Sequence, residues 1–448
     1  MKTSSLFLLA AFVAFVIPPF RAWSATVDSG ALGEQFVDLL AKGDFAGAVA
    51  RYDKAMQTAL PEPKLRDTWR SVEAQAGRFK KRLHTRTVKA GGYDVALVTC
   101  EFERAKLDTK VVMNSQGEVA GLFFLPGTAE ADPTVAPPYA RTNAFHGKEF
   151  TVGSGEWRLP GTLTLPANKS GQPFPAVVLV HGSGPNDRDE TVGASKPFRD
   201  LAWGLATKGV AVLRYEKRTK EYSTRFITEK LPITAREETI DDAVSAANQL
   251  RQTEGIDPGR VFVLGHSFGA TEAPRIGKTD PKIKGLIIMA GATRPIEDLI
   301  VEQTRYILSI NGELSAADRQ KVRDLETKVA EIKKLTSADT NSSAILLGAP
   351  PAYWLDLRAH DPVAEAKSLK QPLMILQGGR DYQVTPAQFE DWKKGLEGSV
   401  NVTFKLYPEL NHLFIAGKGK SSPSEYEKGG YVSEEVVSDI ADWVLKIH

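Results

Sequence analysis

The sequence predicts an α/β fold, with a mostly parallel sheet and helices on both faces, preceded by a small α+β domain. From about residue 148 short apolar runs alternate with helical stretches, as in sheets buried on both faces. Before residue 130 helical periodicity gives way to strand patterns, which indicates an α+β unit. The 448 residues, 42% hydrophobic and 25% charged, suffice for two or three domains and exclude a disordered or fibrous chain.

Residues 1–25 have the pattern of a secretory signal peptide. Lys2 precedes an apolar run over 6–17 that is too short to span a bilayer comfortably. Small residues at Ala22 and Ser24 predict cleavage after Ser24 or Ala25. We therefore expect an exported protein, periplasmic or extracellular, with no membrane span in the mature chain. An uncleaved anchor is the alternative.

Residues 27–130 are expected to form the small α+β domain. Apolar residues at helical spacing surround Phe36, Val49 and Trp69, and strands are predicted over 93–102 and 110–125. The unit contains no grouping of histidines and carboxylates that suggests catalysis, so a folding or docking role is expected. Prolines and weak periodicity indicate a linker over 131–147.

Residues 148–448 are expected to form the larger domain. A β-hairpin should come first, followed by six buried strands near 176–180, 210–214, 261–264, 286–290, 373–377 and 402–407. Helices are predicted over 197–208, 237–251, 268–276, 386–396 and 433–446. Residues 293–369 interrupt this rhythm with charged, mostly helical sequence, which predicts a lid over the carboxyl ends of the strands.

The strongest chemical signal is Gly265–Gly269, a Gly-x-Ser-x-Gly motif between an apolar strand and a small-residue helix. Such glycines permit a tight turn that exposes a serine hydroxyl above the sheet. Ser267 is therefore the predicted nucleophile, and an ordinary Gly-Ser turn is the alternative. A serine needs a base to take its proton.

In this chain order an acid and then a histidine follow the serine. His412 follows the last strand, whereas His360 precedes the strand that should carry the acid and His448 is the last residue. Asp381 follows the preceding strand, with glycines that allow a turn. We predict that Asp381 and His412 complete a catalytic triad, with a turn or helix cap as the alternative role for Asp381.

A tetrahedral intermediate also requires backbone N–H donors. One is predicted at Phe268, directly after the nucleophile. The other should come from the glycine-rich loop after an earlier strand, where Ser183 is favoured and Gly182 is the alternative. His181 in this loop is expected to be structural.

Charge and cysteine content narrow the function further. A formal net charge of +2 gives no reason to expect nucleic acid as a partner, and the single cysteine, Cys100, excludes internal disulfides, cysteine-rich zinc sites and iron–sulfur clusters. The basic residues near 214–220 could face an anionic substrate, but an ion-paired or solvated face is the more common role of such a run.

Together the loop at His181, the Gly265–Gly269 motif, Asp381 and His412 resemble the α/β-hydrolase superfamily. The resemblance covers about 148–448. Within it, Asp187–Asp189, Leu213–Arg218 and the tail from His412 to Tyr426 look like an exported bacterial subgroup near dienelactone-hydrolase-like and serine-aminopeptidase-like members. The N-terminal unit resembles a small cystatin- or NTF2-like domain of unknown function. The resemblance to the α/β-hydrolase superfamily implies acyl-ester hydrolysis through an acyl-serine, without a cofactor.

Three functions follow from these observations. The first is a secreted serine carboxylesterase acting on small-molecule esters, and the second is a peptidase or aminopeptidase for small peptides. The third is a binding protein on an inactive hydrolase scaffold, which the complete triad disfavours. The acyl and alcohol groups and the oligomeric state are not determined by the sequence.

Overall fold

The computed structural model describes residues 28–90, 93–126, 136–167, 171, 173–228, 233–310, 312–342 and 344–447. The predicted signal peptide, residues 1–25, lies outside these ranges. Among the helices within them, none is both long enough and apolar enough to cross a membrane.

The N-terminal unit packs helices against an antiparallel sheet. Its helices are α1 (Ser29–Lys42), α2 (Phe45–Val49), α3 (Lys54–Ala59) and α4 (Glu62–Ala76). Its strands, in the spatial order β1-β2-β3-β4, are β1 (Phe79–Ala90), β2 (Tyr93–Phe102), β3 (Lys106–Met113) and β4 (Val119–Pro126). The core includes Phe36, Trp69 and Phe102, with the last two rings 5.7 Å apart.

Strand β1 and helix α3 were not predicted. The sequence of β1 is rich in lysine and arginine and lacks an apolar run. Its described side chains are partly or fully exposed. It is a strand because it pairs with β2 along almost its whole length. Pairing with a neighbour outweighs local propensity here.

The larger unit is built on an eight-stranded sheet. Its strands are β5 (Phe145–Val152), β6 (Leu159–Pro166), β7 (Phe174–Val180), β8 (Ala211–Tyr215), β9 (Ile256–His266), β10 (Leu286–Met289), β11 (Leu373–Gly378) and β12 (Val402–Tyr407). The spatial order is β12-β11-β10-β9-β7-β8-β6-β5. The strands from β12 to β8 pair in parallel, and β6 and β5 extend the sheet antiparallel.

Helices cover both faces of this sheet. The helices of the larger unit are α5 (Pro197–Thr207), α6 (Arg218–Glu221), α7 (Ser223–Thr228), α8 (Asp241–Leu250), α9 (Phe268–Thr279), α10 (Ile296–Ser309), α11 (Ala316–Lys334), α12 (Pro351–Arg358), α13 (Pro362–Ser368), α14 (Pro386–Gly395), α15 (Pro423–Lys428) and α16 (Glu434–Lys446). Buried side chains form a separate core on each face, which explains the continuous apolar runs of the central strands. The predicted fold class is confirmed.

The range predicted as a linker, 131–147, contains ordered structure near its end. Strand β5 begins at Phe145, and the Tyr139 hydroxyl donates to the Val432 carbonyl at 2.7 Å. The Tyr139 ring lies so close to Gly204 that a Cβ there would come within 2.8 Å of it. Residues near 139 therefore pack on the larger unit, although their proline content suggested a free connection.

Helices α10 to α13 lie between β10 and β11, within the stretch 293–369 that interrupted the predicted rhythm. Two of them, α12 and α13, were not predicted individually. Loops that follow parallel strands meet at one edge of a sheet. The insertion therefore leaves the sheet at the same edge as the residues after β7, β9, β11 and β12.

Candidate active site

Ser267 occupies a strained turn between β9 and α9. Its φ of 52° and ψ of −114° are uncommon for a residue with a side chain. A Cβ on Gly265 would lie 2.1 Å from the Gly269 carbonyl oxygen, and one on Gly269 would lie 2.3 Å from that of Val180. Both glycines are therefore required by close backbone contact, and the turn places Ser267 on the wall of a cavity.

Asp381 and His412 form a buried hydrogen-bonded pair. The His412 Nδ1 and Asp381 Oδ2 atoms are 2.7 Å apart. The other carboxylate oxygen accepts the backbone N–H groups of Gln383 and Val384 at 2.8 and 3.0 Å, and Gln377 Nε2 lies 3.2 Å from Oδ2. A carboxylate held in this way orients the imidazole with its proton on Nδ1 and leaves Nε2 as the basic nitrogen.

The sheet order brings this pair to the serine. Strands β9, β10, β11 and β12 are successive neighbours, and the Ser267 N–H donates to the Met289 carbonyl at 2.9 Å. The rings of His266 and His412 lie 4.8 Å apart, and His266 Nε2 is 2.9 Å from the His412 carbonyl oxygen. His412 therefore lies beside the residue that precedes Ser267, and the three predicted triad residues share one edge of the sheet.

The glycine-rich loop after β7 contacts the serine turn directly. A Cβ on Gly182 would lie 3.2 Å from the Ser267 Cβ. The Gly182 N–H donates to Glu190 Oε1 at 2.6 Å, so it is occupied and the Gly182 alternative is disfavoured. None of the described residues accepts the Ser183 N–H. Phe268 opens α9, where the first N–H groups have no partner within the helix.

A buried ion pair that sequence reasoning missed connects these loops. Glu190 Oε2 lies 2.9 Å from His266 Nδ1, and both side chains are almost fully buried. Burial alone would lower the pKa of His266, but the Glu190 carboxylate and the His412 carbonyl outweigh it and raise this pKa. Glu190 also has a positive φ of 51°. Neither the ion pair with His266 nor the positive φ of Glu190 produces a pattern that can be recognised in a single amino-acid sequence.

His181 is structural, as expected. Its ring packs 5.1 Å from Phe198 and 5.3 Å from Tyr215, and its Nε2 has no hydrogen-bond partner among the described residues. Burial lowers the pKa of His181 to about 4. This histidine is therefore neutral in the folded protein near neutral pH.

The basic residues after β8 do not form a free cationic surface. Each pairs with a carboxylate: Arg214 with Asp189, Lys217 with Glu238, Arg218 with Asp242 and Lys220 with Glu216. Lys217 is also among the most deeply buried side chains of the described chain. The charges are neutralised within the protein, so the ion-paired interpretation holds and the anionic-substrate interpretation loses its basis.

A cavity of about 760 Å³ opens at Ser267. Ser183 and Phe268 line it beside the serine, and the insertion supplies Leu347, Tyr353 and Trp354. This volume is within the usual range of small-molecule sites. Within the described residues, no group of three or more histidine, cysteine or acidic side chains is arranged to hold a metal ion.

Known proteins resemble this chain along most of its length. A family described as serine aminopeptidase, S33, matches residues 171–418, and a protein family of unknown function (DUF3887) matches residues 33–122. Esterase EstD of Thermotoga maritima is 37% identical over 413 residues, which covers 92% of this chain and 94% of that protein.

Solved structures of esterases also resemble the chain. An esterase of Pyrococcus furiosus is 15% identical, covers 70% of this chain and 98% of its own, and gives a TM-score of 0.43. Est1E of Butyrivibrio proteoclasticus is 13% identical; the match covers 67% of this chain and 99% of that chain, with a TM-score of 0.43.

The parallel sheet, the serine turn and the acid–histidine pair define a class of hydrolytic enzymes. The chain belongs to the α/β-hydrolase family, as the family match and the Thermotoga relative show. It is therefore a hydrolase, and its N-terminal unit is the domain of unknown function that the sequence resembled.

Burial of neutral His181 makes a testable prediction about pH. The unfolded chain binds a proton near pH 6.5 that the folded chain binds only near pH 4. The contribution of His181 to the free energy of unfolding should therefore be fully present above about pH 6.5. As the pH falls below this value, the free energy of unfolding should decrease by up to about 1.4 kcal/mol per pH unit because of this group. Urea unfolding at about pH 7 and about pH 5 measures that slope, which His181→Asn should flatten.

The matched control is His146→Asn, because His146 is exposed on β5. That variant should keep the wild-type slope. Equal slopes for the wild type and His181→Asn would contradict the prediction.

Proposed function

We propose that the protein is an exported serine carboxylesterase that cleaves small-molecule esters through an acyl-serine intermediate. The observation that carries the proposal is the 2.7 Å bond between His412 and Asp381, which lie in the loops after β12 and β11 at the same edge of the sheet as the strained Ser267 turn. The esterase activity stated in the name of the Thermotoga relative supports the same bond type. Export rests on residues 1–25 of the sequence.

In the proposed mechanism Ser267 Oγ attacks the ester carbonyl carbon while His412 Nε2 takes the hydroxyl proton. Asp381 stabilises the resulting imidazolium, and the N–H groups of Phe268 and Ser183 stabilise the oxyanion. His412 then gives its proton to the departing alcohol, which leaves the acyl-serine. Water, deprotonated by His412, releases the acid and restores the serine.

The cavity supports a lid function for the insertion over 293–369. Leu347, Tyr353 and Trp354 line the same cavity as Ser267 and are largely apolar. An apolar wall removes water from the reacting groups and binds the non-reacting part of a small ester. We therefore assign acyl or alcohol selectivity to this insertion.

A peptidase is the second candidate, because the family match carries the name of an aminopeptidase. Such an enzyme would place a carboxylate against the substrate ammonium. On the described cavity wall Glu238 is bonded to Lys217, Glu272 is paired with Arg275, and Asp361 caps a helix. Glu297 is the remaining carboxylate of that wall.

An alkoxide is also a better leaving group than an amide nitrogen, which departs only when protonated. Ester cleavage is therefore the function that we favour. The third alternative, a non-catalytic scaffold, is set aside because the chain is a hydrolase by kinship and retains a nucleophile, an acid and a base.

The nucleophile assignment is tested with a fluorophosphonate probe. The wild-type chain should be labelled at one serine, and Ser267→Ala should not be labelled, because the reactive hydroxyl is gone. Mass spectrometry of the labelled peptide identifies the residue. Labelling that persists in Ser267→Ala would overturn the assignment.

The base assignment is tested by comparing two histidines. His412→Ala should lower kcat by roughly 10³-fold or more, because nucleophile, base and acid act as a unit. His360→Ala should change kcat by less than about tenfold, because His360 Nε2 is 3.1 Å from the Thr271 carbonyl and Nδ1 is 3.2 Å from Glu365. Steady-state kinetics on p-nitrophenyl esters decide, and the reverse order of effects would show that the base is wrongly assigned.

The bond type is tested with matched substrates. For the same acyl group, kcat/KM should be higher on a p-nitrophenyl ester than on an anilide. Unblocked aminoacyl-anilides and short-chain esters are compared in the same assay. If the aminoacyl-anilides are the better substrates, and Glu297→Gln removes that preference, the protein is a peptidase.

A further inference from the structure

The carbonyl group of Gly182 receives two side-chain donors. Lys217 Nζ donates to its oxygen at 2.7 Å, and Asn186 Nδ2 donates to the same oxygen at 3.0 Å. Lys217 is 2% exposed and does not line the cavity, so it cannot touch a substrate there. A buried ammonium group is costly unless it is paired, and this one points at a single backbone carbonyl and one carboxylate.

The Gly182 carbonyl and the Ser183 N–H belong to the same peptide group. That group is planar and trans, so its C=O and N–H point in opposite directions. Fixing the carbonyl oxygen on Lys217 therefore fixes the direction of the Ser183 N–H. A peptide flip would break the bonds from both Lys217 and Asn186.

We propose that Lys217 is a positioning residue for the oxyanion site, which orients and polarises the Gly182–Ser183 peptide from its carbonyl side. The inference rests on the proposed function, in which the Ser183 N–H stabilises the oxyanion. A cation on the carbonyl oxygen draws electron density from the peptide and makes its N–H a stronger donor. The benefit is largest where the substrate oxygen carries most charge, so it lowers the barrier more than it strengthens substrate binding.

Lys217 also connects this peptide to the insertion. Its ammonium lies 2.7 Å from Glu238 Oε1, and the Tyr353 hydroxyl of α12 donates to Glu238 Oε2 at 2.6 Å. Burial and the Glu238 carboxylate raise the pKa of Tyr353 well above its ordinary value, so the hydroxyl keeps its proton and remains a donor. A chain of three contacts thus runs from the cavity wall through Glu238 and Lys217 to the oxyanion loop.

The second proposed oxyanion donor lies against the same group. Lys217 Nζ is 5.5 Å from the centre of the Phe268 ring, and the Tyr353 ring stacks on Phe268 with its centre 6.4 Å away. The ammonium is therefore adjacent to both residues whose N–H groups are proposed to stabilise the oxyanion. The insertion holds the Lys217–Glu238 pair in place through Tyr353.

The test is the double variant Lys217→Met/Glu238→Gln. Replacing both partners avoids leaving a buried carboxylate without its cation, and methionine has a similar length without the charge. With p-nitrophenyl acetate we expect kcat to fall about 10- to 100-fold, while KM stays within about threefold. This decrease in kcat is no larger than the decrease caused by removing one oxyanion donor outright. Affinity for an aliphatic trifluoromethyl ketone, whose serine adduct carries the oxyanion, should fall by a similar factor.

Two further variants make the result specific. Tyr353→Phe keeps the ring but removes the hydroxyl, and it should lower kcat and ketone affinity together by about two- to tenfold. Lys220→Met removes a neighbouring lysine that pairs with Glu216 and whose side chain forms no hydrogen bond with the loop among the described residues, and it should match the wild type. Thermal unfolding of each variant establishes that it is folded.

A folded double variant with wild-type kcat and wild-type ketone affinity would overturn the role of Lys217, as would a loss confined to KM. If the double variant does not fold, Tyr353→Phe decides by the same two measurements. A wild-type chain that neither cleaves the ester nor binds the ketone would instead refute the proposed function. If the wild type cleaves the ester and the variants match it in kcat and in ketone affinity, only the inference about Lys217 is refuted.

Discussion

The candidate site depends on the close approach of two backbone segments, the serine turn and the loop after β7. Gly269 lies where a Cβ would be 2.3 Å from the Val180 carbonyl oxygen, and Gly182 lies against the side chain of Ser267. Because the Gly269 contact is with backbone, neither segment can move aside for a larger residue at that position. The strained φ of Ser267 is maintained by this packing, and the loop that supplies the proposed oxyanion donor is held in the same contact.

Buried charge holds the loop from two opposite sides. The N–H of Gly182 donates to Glu190, which is paired with His266, and its carbonyl accepts from Lys217, which is paired with Glu238. Each ion pair is almost fully buried, so neither is screened by solvent as a surface pair would be. The hydrogen bonds of the Gly182 N–H and of the Gly182 carbonyl therefore together fix the direction of the Gly182–Ser183 peptide.

The sequence was informative where chemistry requires a fixed order. Ser267, Asp381 and His412 follow strands in a known succession, and parallel strands bring their carboxyl ends together. The partners of Lys217 and Glu190 were not predictable, because they depend on which loops face each other across the sheet edge. Strand β1 was missed for a related reason, since its identity comes from pairing with β2 rather than from its own apolar pattern.

The order of the parts along the chain has a consequence for biosynthesis. The glycine loop and the serine turn follow strands β7 and β9, whereas Asp381 and His412 follow β11 and β12, and the bond between the His266 ring and the His412 carbonyl spans 146 residues. A chain emerging from the ribosome contains Ser267 before it contains Asp381 and His412, its proposed acid and base. On the proposed mechanism, an unfinished chain therefore carries the nucleophile without the base that would activate it.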